Sequence, residues 1–166
     1  QSLKVNSSSS TVTIGQLQVA EINSTNDKIE LGAIRNISGD LNFTDIAIGM
    51  LQEDCRLTQN YGRLTISNVQ NNFTRINLSG KSTDYTLSIP KTLSFETRIF
   101  ARDDKLSIDE FTGKMQKKYL DEKSKFVELT GYVGRDQAGR SLTIDAQNGE
   151  VKIRFMEPQK ETSLKQ

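Results

Sequence analysis

The residues with the most chemical promise in this sequence are two adjacent carboxylates, Asp103 and Asp104, set between Arg102 and Lys105. Paired carboxylates beside cations are what a protein needs to cleave a polysaccharide, one acting as acid and the other as base or nucleophile. The same four residues also compose an ordinary solvated turn. No histidine occurs, so Ser-His-Asp and Cys-His sites are excluded and the commonest zinc ligand is missing. Oxygen-bearing side chains recur near equivalent places (Asn26/Asp27, Asp45, Asp84, Asp103/Asp104 and Asn148), and hard cations accept such ligands. The short Gly-Asp nonapeptide of calcium-binding repeats is absent, and Asn and Asp recur wherever turns recur. No catalytic, cofactor-binding or metal-ligating set is therefore assigned, and no cofactor is expected.

Other groupings read the same way. Lys114, Lys117, Lys118, Lys123 and Lys125, with Tyr119, could hold an acidic glycan or phosphate, but Asp121 and Glu122 interrupt the charge and favour a solvated loop. Gly131, Gly134 and Gly139 make no phosphate cradle, because no helix signal follows them. Cys55 is the only cysteine, so no internal disulfide forms; its alternation with Leu57 places it in a core. Glycosylation sequons stand at Asn6, Asn23, Asn36, Asn42, Asn72 and Asn77, and matter only in a eukaryotic source. With 22 basic and 21 acidic residues the net charge is +1, which argues against nucleic acid as a partner. No apolar run is long enough to cross a bilayer. The chain opens Gln1-Ser2-Leu3 with neither methionine nor apolar leader, which suggests processing.

These residues must be held by elements, and the elements declare themselves through spacing. An apolar residue, six mostly polar ones, then two apolar residues flanking any third recur six times. The copies are Val5 with Val12/Ile14, Ile22 with Ile29/Leu31, Leu57 with Leu64/Ile66, Leu78 with Tyr85/Leu87, Ile99 with Leu106/Ile108 and Ile144 with Val151/Ile153. A seventh ends at Ile46/Ile48, with Gly39 in the leading apolar place. Alternation of β-branched residues with Thr, Glu, Ser or Lys is the period of a strand with one buried face. The spacers 6–11, 23–28, 58–63, 79–84 and 145–150 carry turn chemistry, with Asn, Asp and Gly expected at left-handed angles.

Ile14, Leu31, Ile48, Ile66, Leu87 and Ile108 lie 17, 17, 18, 21 and 21 residues apart. So short a unit cannot bury its own apolar face, whereas stacked copies share one column. The pattern predicts an all-β, single-domain β-solenoid over 1–156, built of about seven rungs and roughly 35 Å long at ~4.8 Å per rung. An antiparallel sandwich is the rival, but it does not require recurring offsets. Residues 112–141 break the rhythm: 112–125 read as a lysine-rich loop and 126–134 as an edge strand. Residues 157–166 read as a flexible tail.

The segments Tyr61-Gly62-Arg63-Leu64-Thr65-Ile66 and Asn148-Gly149-Glu150-Val151-Lys152-Ile153 resemble the adhesin families of Bacteroidetes. Those are domains of unknown function with tandem Tyr-Gly-Asp-φ-x-φ β-repeats. The run from Gly80 through Pro90 to Phe95 is similar to their late repeat, and Gly131-Tyr132-Val133-Gly134 ahead of Leu142 to their C-terminal end. In the first three copies Ser or Asn-Asp stands in place of Tyr-Gly. The resemblance implies a β-helical fold, export, and residence at the bacterial cell surface or in the periplasm; it brings no site residues. The expected function is non-enzymatic adhesion or binding of a glycan or protein through an outward row, Thr13, Glu30, Ala47, Thr65, Thr86 and Ser107. The alternatives are a carbohydrate-active enzyme using Asp103 and Asp104, and a module that assembles with itself through its open ends.

Overall fold

The computed structural model describes residues 1–158; residues 159–166, most of the expected tail, lie outside the described residues. The strands are β1 (Ser2–Ser8), β2 (Thr11–Thr25), β3 (Lys28–Ile66), β4 (Arg75–Gly80), β5 (Thr83–Pro90) and β6 (Phe95–Arg102), then β7 (Leu106–Ile108), β8 (Gly113–Asp121), β9 (Phe126–Val133), β10 (Ser141–Ala146) and β11 (Val151–Met156). A 3₁₀ turn, Asp103–Lys105, joins β6 to β7, and no α-helix occurs among the described residues. The fold is all-β, one eleven-stranded sheet curled into an open half-barrel.

Apolar residues at alternating positions set the register. β1 runs parallel to β2 with Val5 opposite Ile22. β2 runs parallel to β3, placing Val12 opposite Ile29, Ile14 opposite Leu31 and Ile22 opposite Gly39. β3 has 39 residues, and a straight strand of that length would span about 130 Å. It bends instead and comes back beside its own ends: the Asp45 N–H donates to the carbonyl of Asp27, the residue before β3, at 3.0 Å, and the N–H of Ser67, the residue after it, to the Ile48 carbonyl at 2.9 Å. Further along, Leu57 faces Leu78, Leu64 faces Tyr85 and Ile66 faces Leu87, again in parallel.

The bends fall at left-handed residues, Ser9, Asn26, Phe43, Tyr61 and Ser82, with φ between 50° and 60°. Of the residue types expected there, Asn26 takes such an angle and Gly62 and Gly80 take φ 131° and 154°, whereas Ser9, Phe43, Tyr61 and Ser82 were not expected. Because the chain pairs through most of each bend, one or two residues at positive φ suffice where a longer turn was expected. Much of each spacer except 145–150 is consequently strand.

Two further expectations are corrected. The last apolar copy does not extend the stack beyond Ile108: β11 lies between β5 and β7, with Leu87 opposite Ile153 and Ile153 opposite Ile108. Likewise β10 lies between β4 and β6, with Leu78 opposite Ile144 and Ile144 opposite Ile99. An apolar face records only that it must be covered, and the chain between β7 and β10 is long enough to return to a gap. The other correction concerns 112–125, which is no loop. β8 forms an antiparallel hairpin with β9, β9 pairs antiparallel with β6, and β8 takes the outer edge. The strand expected at the edge is thus interior, and the lysine-rich stretch forms the edge.

The core is one continuous cluster that includes Ile22, Leu41, Leu64, Ile66, Ile76, Leu78 and Ile144, with Phe73 and Phe95 packed edge to face. Each such side chain, fully buried, contributes about 1.5–3 kcal/mol. Val5, Val12 and Ile14 at one end, and Leu106, Ile108 and Met115 at the other, are only partly covered.

Candidate binding surface

The 3₁₀ turn after β6 presents Asp103 and Asp104, and the structure occupies both. Asp103 accepts from the Lys117 ammonium at 2.5 Å and the Tyr119 hydroxyl at 2.6 Å, both on β8. Asp104 accepts two bonds from the Arg102 guanidinium, at 3.0 and 2.8 Å. The bonds from Lys117 and Tyr119 hold the Asp103 carboxyl below the usual carboxylate range, and Arg102 does the same for Asp104. A glycosidase acid requires the opposite shift, a carboxyl kept protonated near neutrality. Lys105 donates to the Asn148 carbonyl at 2.7 Å.

The lysine group is divided by the pleat of its own strand. Met115, Lys117 and Tyr119 alternate onto one face of β8, and Lys114, Gln116 and Lys118 onto the other. Asp121 accepts from the Ser124 hydroxyl and the Lys123 N–H in the hairpin turn. No single anion site is built from these lysines.

The row of oxygen ligands dissolves in a similar way. Asp45 pairs with Arg63, and Asp84 accepts from the Glu150 N–H at 2.9 Å. No three His, Cys, Asp or Glu residues converge among the described residues. Asp27 is buried, accepting from the hydroxyls of Ser7 and Ser24 and from the Ser10 N–H. Desolvation pushes its pKa up, but those bonds, with one from the Thr25 amide, prevail and hold it below the ordinary value. Cys55 is fully buried, and burial pushes its thiol pKa far up, so it packs as a small apolar residue.

Asp27 belongs to a feature that the sequence reading missed. Ser24 bonds Thr44 at 2.9 Å, the Gln59 amide donates to the Thr44 carbonyl at 2.6 Å, and the Thr83 hydroxyl donates to the Gln59 carbonyl at 2.6 Å. All are buried, so a polar seam runs up the inside of the bends. A signal existed: Asp27, Thr44 and Thr83 each stand two residues before an inward apolar position, where strand alternation also points inward.

Outside, the expected row is brought together. Thr13 lies opposite Glu30 and Thr65 opposite Thr86, while Lys152, absent from the expected row, stands between Thr86 and Ser107. Thr13, Glu30, Ala47, Ser107 and Lys152 are exposed, and Thr65 and Thr86 are partly so. At the bends Phe43 and Tyr61 stack in the open, ring centroids 4.8 Å apart and planes within 7°. Phe43 was not singled out from the sequence, and Tyr61 figured only in the segment that carries the resemblance, because aromatic residues in a polar spacer carry no periodic signal. Among the described residues no helix is long and apolar enough to cross a membrane. No family model, curated protein or solved structure matches the chain.

Proposed function

We propose that this chain is a β-solenoid binding module, a non-enzymatic adhesin-like domain displayed outside the cytoplasm on a bacterial envelope. The observation that carries the reading is the register: parallel pairing of β2 with β3 and of β3 with β5, and of β11 with both β5 and β7, brings side chains from distant parts of the sequence into one outward row. Hydroxyls and a few charges on a backbone held by hydrogen bonds make a flat, rigid surface that contacts a partner at many points. Each contact is weak, so affinity comes from repetition, and display of many copies multiplies it. The engagement of Asp103 and Asp104 by Lys117, Tyr119 and Arg102 favours this over the enzymatic alternative. The family resemblance supports both the adhesive role and the export.

The test compares clustered and single copies. Beads coated with the protein are expected to adhere to at least one surface in a set of immobilised bacterial polysaccharides and host matrix proteins, while the free chain binds weakly. Introducing Thr65→Glu together with Thr86→Glu should abolish adherence without changing the circular dichroism spectrum. Adherence that survives this double substitution, and the bend substitutions described below, would remove the basis for the reading.

A further inference from the structure

Phe43 is 61% exposed and Tyr61 46% exposed, so neither ring contributes much to the core. Both sit at left-handed φ, 50° and 60°, where a bulky side chain is strained and Asn or Gly is at ease. Strain kept at an exposed place, by two rings that protect nothing, calls for a use beyond folding. The residues next along the bends are short. The Asn26 N–H donates to the Asn42 carbonyl at 2.8 Å and the Tyr61 N–H to the Lys81 carbonyl at 2.9 Å, which sets Asn26 on one side of the ring pile and Ser82 on the other. The outer faces of the pile therefore meet small side chains.

An open groove of about 420 Å³ is lined by amides, hydroxyls and one carboxylate, among them Asn6, Asn23, Thr25 and Asp40, and it includes Asn42, the residue before Phe43. The amides are aligned: Asn23 donates to Asn6 at 3.2 Å and Asn60 to Asn42 at 3.3 Å. Each of those bonds uses one end of an amide that can bond at both, so the Asn23 oxygen and the Asn6 and Asn42 nitrogens can serve a ligand.

The chemistry selects the ligand. A pyranose ring has a face of C–H groups that packs on the electron-rich face of an aromatic ring, and an edge of hydroxyls that suits amides and a carboxylate. A phosphate or acidic sugar would meet Asp40 with no lysine or arginine lining the groove. An apolar peptide segment would leave these polar groups unpaired. We infer that Phe43 and Tyr61, with Asn23, Asp40 and Asn42, form a binding site for a neutral oligosaccharide. This rests on the binding-module reading and adds to it a place and a ligand class.

The test titrates the ¹⁵N-labelled chain separately with cello-, malto-, manno- and chitohexaose and follows backbone amide shifts. At least one sugar should saturate with shifts centred on residues 23–26, 40–44 and 60–62, at millimolar concentration as befits a shallow site. Phe43→Asn and Tyr61→Asn should each weaken that binding about tenfold or more. Their melting temperatures should be unchanged or higher, since Asn suits the left-handed backbone; Tyr61→Phe should bind like the parent. A ring pile with a purely structural role gives the reverse, a lower melting temperature with an unaltered titration, and overturns the assignment. Silence at the bends with every sugar also overturns it. If the Thr65/Thr86 pair governs bead adherence while the bends stay silent, the binding-module reading survives without this site; if neither surface responds, both fall.

Discussion

Asp27 shows how one side chain is held ionised inside this protein. Its carboxylate has lost most of its water but accepts from Ser7, Ser24 and the Ser10 N–H, so its pKa lies below the ordinary carboxylate value. A depressed folded-state pKa contributes stability above the unfolded value, near pH 4, and that contribution is lost as pH falls through the folded value. Acid titration of the melting temperature should therefore show a decline below about pH 4 that Asp27→Asn flattens. At neutral pH the same substitution should cost about 1–3 kcal/mol, because it puts an amide donor where hydroxyl and backbone donors already point. A neutral-pH denaturation midpoint equal to the parent's would show that the seam does not depend on the charge.

At the scale of elements, the two faces of one strand should respond oppositely. Ile66 is fully buried and faces Leu87, while Thr65, its neighbour, lies in the outward row. Ile66→Ala should cost about 2–5 kcal/mol, and Thr65→Ala less than about 0.5 kcal/mol. Equal shifts in urea midpoint would mean that the strand faces are assigned wrongly. The bends impose a separate constraint where backbones approach closely. Gly80 has φ +154°, and a Cβ there would stand 1.6 Å from the Gln59 carbonyl oxygen. Gly80→Ala should destabilise by more than about 1 kcal/mol, although it removes no contact. Circular dichroism melts of this variant beside Ser82→Ala separate crowding at the bend from a general intolerance of substitution there.

For the whole molecule, the decisive fact is that β10 and β11 lie in the interior of the sheet. Removing 141–158 does not shorten a stack; it takes out the strands that join β4 to β6 and β5 to β7. A chain truncated after Gly134 should lose protection from hydrogen exchange in β4–β7 together, whereas loss confined to β6–β9 would show that the remainder stands alone. Among the described residues three strands pair on one side only, β1, β8 and the three-residue β7, and the two longer edges differ in character. β8 carries Lys114, Lys117 and Lys118, which discourage strand addition, while β1 offers an edge whose only charge is Lys4. Lys114→Val with Lys118→Val should turn β8 into an adhesive edge, seen as concentration-dependent growth in sedimentation velocity beyond the parent's; sedimentation identical to the parent's would show that the lysines do not guard it.

What could be read from residues alone was every relation that depends on spacing. The alternation of Val12/Ile14, Ile29/Leu31, Leu64/Ile66 and Val151/Ile153 requires a sheet buried on one face, and offsets of 17 to 21 residues state which side chains share a column. Neighbours along that column were settled only in three dimensions. Burial rewards any apolar face that covers another, so Ile153 is as acceptable beside Leu87 as Ile108 would have been. The place of the last strands, the antiparallel hairpin on β6 and the meeting of Phe43 with Tyr61 all depend on where the chain can return, a property of the folded whole and not of any local run of residues.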